Sequence, residues 1–225
     1  MAPLPDRTAP PGLAALLTLA DSRLPAGGHA HSGGAEQACA DGIVRDEPTL
    51  HTFLRRRLAT AGRVAAGLAA AACRAAGDPD LLARLDAEAD ARTPAPSSRA
   101  ASRAQGRGLC RVGRLAWPHP AWGGLPADPH HPLAVGTAAV AAGLDPLAAA
   151  SAAAYLSVSG PATAAQRLLG LDPIAVAAVT AGLASTVDAE ARRAVLDPCP
   201  AMAADPLLDL LAERHAARGD RFFAS

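Results

Sequence analysis

The sequence EPTLHTFLRRRLATAGRVAAGLAAAACRAA spans residues 47–76 and decides the class of fold. Its larger apolar residues recur every three or four positions, from Leu50 and Leu54 through Leu58 to Leu68. This spacing places them on one face of an α-helix, whereas a half-buried β-strand would alternate apolar and polar residues. The stretch therefore predicts one long helix that is buried along one side.

The rest of the chain indicates more helices of the same kind. Alanine, which has the highest helix propensity, supplies 60 of the 225 residues, whereas isoleucine and phenylalanine are scarce. Asp-Pro occurs six times, at 78–79, 128–129, 145–146, 172–173, 197–198 and 205–206. Aspartate caps helix N-termini and proline suits the first helical position, so each pair predicts a helix start. We expect an all-α, bundle-like single domain of about ten helices over residues 1–225.

The predicted helices lie at about 12–21, 31–41, 47–76, 78–91, 97–115, 131–143, 145–158, 161–169, 173–195 and 205–218. We expect Gly160-Pro161 to separate two of them, because proline interrupts a helix. Trp117–His131 contains four prolines and two glycines and is predicted to be a mobile surface loop. Residues 1–11 are predicted to be a disordered N-terminus, and residues 219–225 a C-terminal tail.

The charged residues exclude several classes of protein. The 21 basic and 21 acidic residues cancel, whereas nucleic-acid-binding domains are usually basic. Every basic residue is an arginine, and the lack of lysine excludes a P-loop NTPase and any enzyme that uses a lysine Schiff base or pyridoxal phosphate. We therefore expect no cofactor and no nucleic-acid partner.

The cysteines and the apolar segments predict a cytoplasmic protein. The four cysteines are widely spaced and none forms a C-x-x-C motif, as expected for a reduced compartment. Residues 1–11 lack the apolar core of a signal peptide. The uncharged run Pro146–Gln166 is rich in alanine and serine and is too weakly hydrophobic for a membrane span.

The segment LPAGGHAHSGGAE, Leu24–Glu36, combines four glycines with two histidines. Glycines permit positive φ angles and a close approach to another surface, so this turn could be a binding site or a flexible connection between helices. The H-x-H pair His29 and His31, with Glu36, could instead bind a metal ion. Nickel or zinc needs three or four ligands, so the pair His130-His131 would have to supply the missing ones.

The C-terminal tail carries two of the chain's six aromatic residues, Phe222 and Phe223. Burying one phenylalanine contributes roughly 1.5–3 kcal/mol, and two exposed ones would favour aggregation. We expect them to insert into this domain or into a partner protein. The neighbouring Arg221 offers a fork of N–H donors to carboxylates or carbonyls.

Several segments, in order along the chain, resemble the urease accessory protein F (UreF) family. They are Leu16–Glu36, Ser98–Leu109, His131–Gly136, Tyr155-Leu156 with Gln166–Gly170, and the ending Arg221–Ser225. In the first segment the family's Pro-x-Gly-Gly turn, its serine and its glutamate are matched, whereas His29 stands where the family commonly has an aromatic residue. Asp172-Pro173 also departs from the family pattern.

This resemblance implies a non-catalytic, all-helical protein that forms a homodimer within a larger complex. UreF proteins bind UreD (also called UreH), recruit the GTPase UreG and dock on the urease apoprotein, so that nickel reaches the urease active site in a GTP-dependent manner. The partner-binding residues implied here are Gly27, Gly28, His29, His31, Ser32, Gly34, Glu36, Arg221, Phe222, Phe223 and Ser225. The alternatives are a metal-binding or metal-dependent protein that uses the histidine pairs, and an unrelated helical scaffold.

Overall fold

The computed structural model describes residues 12–21, 24–26, 28–197 and 203–225. This part of the chain contains eleven α-helical segments and no β-strand, which confirms the all-α prediction. The α-helices are α1 (Leu13–Leu19), α2 (Ala35–Ala40), α3 (Glu47–Arg57), α4 (Arg63–Arg74), α5 (Pro79–Ala91), α6 (Pro96–Ala116), α7 (His131–Ala141), α8 (Pro146–Leu169), α9 (Pro173–Gly182), α10 (Ala184–Leu196) and α11 (Pro206–Ala216). Short 3-10 helices lie at Gly28–Ala30 and Pro120–Gly124, and a π-helical turn lies at Leu58–Gly62.

Most of the Asp-Pro pairs start helices as predicted. The aspartate side chain accepts a hydrogen bond from a first-turn backbone N–H at Asp78, Asp145, Asp172 and Asp205. The pair at 128–129 is an exception, because α7 begins two residues later and Asp128 instead forms an ion pair with Arg107. Pro198, in the pair at 197–198, lies outside the described residues.

The long helix predicted over 47–76 is present as α3, the π-helical turn and α4. Its apolar face, which includes Leu50, Leu54 and Leu58, is fully buried in the largest core cluster. α4 lies at the centre of the fold, between α7 on one side and α8 on the other. The π-helical turn packs tightly on α8, since a Cβ atom at Gly62 would lie 2.5 Å from the Ser157 Oγ.

The predicted break at Gly160-Pro161 is wrong, because α8 continues through it from Pro146 to Leu169. Proline has no N–H, so Pro161 leaves the carbonyl of Ser157, four residues earlier, without its helical donor. The Arg57 Nε donates a hydrogen bond to this carbonyl at 2.9 Å. A side chain from α3 therefore satisfies the group that the proline exposes, and the helix is retained.

The segment predicted as a surface loop has a buried portion. Its 3-10 helix, Pro120–Gly124, carries Trp122, which is 3% exposed and belongs to a core cluster with residues of α6 and α7. The Trp122 Nε1 donates to the carbonyl oxygen of Trp117 at 2.9 Å. Gly113 of α6 makes room for the indole ring, because a Cβ atom there would collide with it. This tryptophan anchors the segment to the core.

Within the described residues, one helical stretch, Pro173–Leu196, has the length and hydropathy of a membrane span. A single such stretch is weak evidence, since core helices of soluble proteins pass the same test. It is divided at Leu183 into α9 and α10. Its Glu190 is buried and forms a two-point ion pair with Arg63 of α4, at 2.7 and 2.8 Å, so α10 packs against the rest of the protein.

We expect Gly136→Ala to destabilise the fold by about 1–3 kcal/mol, the usual cost of overpacking. Gly136 lies where α7 approaches α4 most closely, and a Cβ atom there would lie 2.8 Å from the Ala72 Cβ and 2.8 Å from the Cys73 nitrogen. Urea unfolding followed by circular dichroism measures this cost. Gly182→Ala is the matched control, because no atom lies within 4 Å of its added Cβ, and it should leave stability unchanged or raised. Equal stability of the two variants would contradict the close approach.

Candidate partner-binding site

The glycine-rich turn leads from α1 to α2 through two consecutive left-handed residues. Gly33 has φ +60° and Gly34, the N-cap of α2, has φ +88°, a region that residues with side chains rarely adopt. Ser32 precedes them and is fully buried, with its Oγ accepting a hydrogen bond from the Glu36 N–H at 3.3 Å. This sequence of glycines turns the chain so that Glu36 points into the protein.

The C-terminal tail lies directly on this turn. The Ala224 N–H donates to the Ala30 carbonyl at 2.7 Å, and the Ser32 N–H donates to the Ser225 carbonyl. The Ser225 hydroxyl also hydrogen bonds with the His31 Nδ1 at 2.6 Å. Two groups of predicted site residues, nearly 200 positions apart in the chain, are therefore in direct contact.

The carboxylate of Glu36 holds the tail in place. Its Oε1 accepts from the Phe222 N–H at 2.7 Å, and its Oε2 accepts from the Phe223 N–H at 2.8 Å. The Oε2 also hydrogen bonds with the Nε2 of His215 on α11, at 2.8 Å. Glu36 is 4% exposed and His215 is 2% exposed. A carboxylate buried this deeply is tolerated because each oxygen has polar partners.

These contacts lower the pKa of Glu36. Burial alone would raise it, but the Phe222 N–H, the His215 imidazole and the Phe223 N–H together outweigh burial by stabilising the ionised form. The carboxylate is therefore ionised at neutral pH. An ionised group accepts stronger hydrogen bonds than a neutral one, so the tail is held by charge-assisted bonds.

The two phenylalanines of the tail have opposite environments. Phe223 is 7% exposed and belongs to the same core cluster as Ala38 of α2 and Leu211 of α11. Phe222 is 82% exposed. The sequence predicted that the two rings insert either into this domain or into a partner. Phe223 inserts into this domain, whereas Phe222 lies on the surface beside the exposed Arg221.

The exposed part of the site combines both segments. Gly28 and His29 of the turn are exposed, as are Arg221 and Phe222 of the tail. We call these four residues the turn–tail surface. Among the other predicted site residues, His31, Ser32, Gly34, Glu36, Phe223 and Ser225 form or support the contact beneath it, while Gly27 lies outside the described residues.

Sequence reasoning missed two residues that support the turn. His215 lies in the helix predicted over 205–218, where no motif marks it, although it is one of the three partners of the Glu36 carboxylate. Gly108 of α6 lies against the backbone of Ala26, and a Cβ atom at Gly108 would collide with that carbonyl oxygen. Gly108 falls in the Ser98–Leu109 segment of the family resemblance, and this segment was the signal that could have identified it. No local sequence pattern distinguishes His215.

The histidines do not assemble as the metal hypothesis requires. In the described part of the chain, the one group of three potential ligand atoms within 4.8 Å of one another is Asp86, Asp90 and His130. It includes none of His29, His31 and His131. The H-x-H pair therefore has no third ligand from His130-His131.

The group formed by Asp86, Asp90 and His130 is satisfied within the protein. Arg103 of α6 bonds to both carboxylates, at 3.0 Å to Asp86 and 2.7 Å to Asp90. The His130 ring bonds with Asp90 at 2.9 Å through Nε2 and with Ser102 at 3.0 Å through Nδ1. Both ring nitrogens and both carboxylates are occupied, so this group fastens α5, α6 and the start of α7 together.

We expect Glu36→Gln to loosen the tail, because an amide replaces one carboxylate oxygen with a donor and removes the negative charge. Hydrogen bonds to charged groups contribute about 1.5–3 kcal/mol each, and about 1.4 kcal/mol corresponds to a tenfold change in an equilibrium. Hydrogen exchange at the Phe222 and Phe223 amides should therefore accelerate by roughly tenfold or more. Glu47→Gln is the control, since its carboxylate does not contact the tail. Unchanged exchange in Glu36→Gln would mean that Glu36 does not hold the tail.

Comparison with known proteins identifies the family. The model of the UreF family matches residues 44–184. The chain is 51% identical over 216 residues to the urease accessory protein UreF of Mycolicibacterium vanbaalenii, 52% identical over 213 residues to that of Mycobacterium sp. (strain JLS) and 48% identical over 213 residues to that of Mycobacterium marinum. Each of these alignments covers 95% of this chain and 99% of the relative. The chain belongs to the UreF family of urease accessory proteins.

Proposed function

We propose that this protein binds UreD (UreH) and recruits the GTPase UreG to the urease apoprotein, for GTP-dependent delivery of nickel to the urease active site. It acts as a non-catalytic component that joins other proteins. The observation that carries this proposal is the contact of the tail with the glycine-rich turn through Glu36. That contact creates one surface from the two segments to which the family resemblance assigns partner binding.

Phe222 is the proposed anchor for UreD. Its side chain is 82% exposed, whereas the neighbouring Phe223 is buried in the core. Exposed aromatic side chains are typical hot spots of protein interfaces, because they bury a large apolar area with few rotatable bonds. The Phe222 backbone is fixed by Glu36, so the ring is presented from a defined position.

Arg221 and His29 are the proposed contacts for UreG. Both are exposed and lie on the turn–tail surface. Arg221 has no ion pair with any residue in the described ranges, so its guanidinium is available to a carboxylate of a partner. Arginine suits this role because its planar fork recognises a carboxylate through two parallel hydrogen bonds.

A homodimer within the complex is also proposed, with a contact through exposed apolar side chains of α8 and α9. Leu147 and Tyr155 of α8 and Ile174 of α9 are 40%, 41% and 79% exposed. We propose that this α8–α9 region contributes to the contact between two copies.

The thiols support a non-catalytic, cytoplasmic role. Cys39, Cys73 and Cys110 are free and at least partly buried. Burial raises the pKa of Cys39 and Cys73 to about 11 and also raises the pKa of Cys110. Such thiols are protonated at neutral pH and are poor nucleophiles.

We expect Phe222→Ala to weaken binding to UreD by about 2 kcal/mol or more, roughly thirtyfold, because truncation of an interface hot spot has this cost. Co-expression with tagged UreD, followed by affinity purification and size-exclusion chromatography, measures retention. Leu115→Ala is the matched control, since Leu115 on α6 is 85% exposed but lies outside the turn–tail surface. Removal of residues 220–225 should abolish co-purification. If UreD retains both Phe222→Ala and the chain without residues 220–225 as well as it retains the unchanged chain, the tail does not bind UreD.

We expect Arg221→Ala to keep UreD but to lose UreG, because Arg221 supplies the charge proposed for the second partner. Adding UreG with a non-hydrolysable GTP analogue to the purified complex with UreD tests this directly. Arg55→Ala, which removes an exposed arginine of α3, is the control and should recruit UreG normally. If the Arg221→Ala complex binds UreG as well as the control does, Arg221 is not the contact.

A further inference from the structure

A cavity of about 540 Å³ lies beneath the tail and the glycine-rich turn. Its walls come from the turn, α3, α6, α7 and the tail, and they include His31, Gly33, Arg57, Gln105, His131 and Ser225. Volumes of this size are typical of small-molecule sites rather than of packing defects.

Arg57 brings an uncompensated positive charge to this cavity. Its Nε donates to the Ser157 carbonyl, and no carboxylate of the described residues lies within 4.0 Å of its guanidinium. Burial lowers the pKa of Arg57 to about 10, so the group is still charged at neutral pH. Arg57 is partly buried, and a charge that is partly removed from water without a carboxylate partner favours any anion that can reach it.

The acidic groups of the cavity do not balance this charge. Asp205 forms an ion pair with Arg56 and caps α11. Burial is the main cause that raises the pKa of Asp209, which also faces Asp205 and Glu213. Neither carboxylate contacts Arg57.

The turn adds hydrogen-bond donors next to Arg57. Gly33 and Gly34 both line the cavity, and the amide of neither donates to an acceptor within the described residues. Gly33 lies close to the guanidinium, because a Cβ atom there would lie 3.0 Å from both the Cζ and the Nη2 of Arg57. Successive backbone N–H groups of this kind are common components of anion sites.

The neighbouring histidines add no charge to the cavity at neutral pH, whereas Arg221 of the tail lines it as well. Burial lowers the pKa of His131 to about 4, with a contribution from His31. Burial also lowers the pKa of His31, with a contribution from His29. Both rings are neutral at pH 7, so they offer polar contacts without further charge.

We propose that this cavity binds a small monocarboxylate, held by the Nη1 and Nη2 groups of Arg57 and by the amides of Gly33 and Gly34. The Nε of Arg57 is already committed to Ser157, which leaves the end of the guanidinium with two parallel N–H groups. That edge matches the two oxygens of a carboxylate.

The test uses the isolated full-length chain and sodium formate as the probe. Thermal unfolding is recorded with increasing formate against sodium chloride of equal ionic strength, since a ligand of the folded state raises Tm in a saturable manner. ¹³C-formate relaxation at 25 °C, on samples whose fold is checked by circular dichroism, gives the dissociation constant independently of stability. We expect saturable binding of formate.

Arg57→Gln should weaken formate binding at least tenfold in the relaxation experiment, while the amide of the substituted side chain can still donate to the Ser157 carbonyl. Arg55→Gln, an equal change of charge at an exposed position of the same helix, should bind as the unchanged chain does. The proposal is overturned by the absence of saturable binding to the isolated chain, or by equal binding to the two variants. Arg57 is not one of the four residues of the turn–tail surface, and partner binding is tested separately by the variants of Phe222 and Arg221.

Discussion

The buried carboxylate of Glu36 is the interaction on which the functional surface depends. An ionised carboxylate in the interior costs several kcal/mol unless its oxygens are hydrogen bonded, and two of its three partners here are backbone N–H groups of the tail. The tail therefore docks for an electrostatic reason as well as through the burial of Phe223. Because the bonds go to backbone atoms, they fix the path of the chain and leave Arg221 and Phe222 facing outward.

The helices around this carboxylate are arranged to bring its partners together. α2 starts at two left-handed glycines and carries Glu36, while α11 brings His215 and leads into the tail. Arg57 links this region to the core, since it lies against Gly33 and also satisfies the carbonyl exposed by Pro161 in α8. The turn therefore packs against Arg57, whose side chain also satisfies the carbonyl at which α8 would otherwise be interrupted.

Local rules predicted most of the fold, and long-range contacts account for what they missed. The side chain of a capping aspartate such as Asp78 bonds to an N–H only three residues further along the chain, so the helix starts could be predicted from neighbouring residues in the sequence. The effect of Pro161 could not, because its compensation by Arg57 comes from a residue 100 positions away from the carbonyl. Glu36 and the tail were predicted as separate site segments, but their contact with each other spans 186 and 187 positions and leaves no periodic signal.

The most direct test of this account is a measurement on the isolated chain, without any partner. In a deuterated, ¹⁵N,¹³C-labelled sample, NMR can detect the scalar coupling that crosses the hydrogen bond from the Ala224 amide nitrogen to the Ala30 carbonyl carbon. The docked tail predicts a measurable coupling, together with chemical shifts of residues 222–225 that differ from those of a random coil. Absence of the coupling with random-coil shifts for these residues would show that the tail does not dock by itself, and would contradict the role given to Glu36.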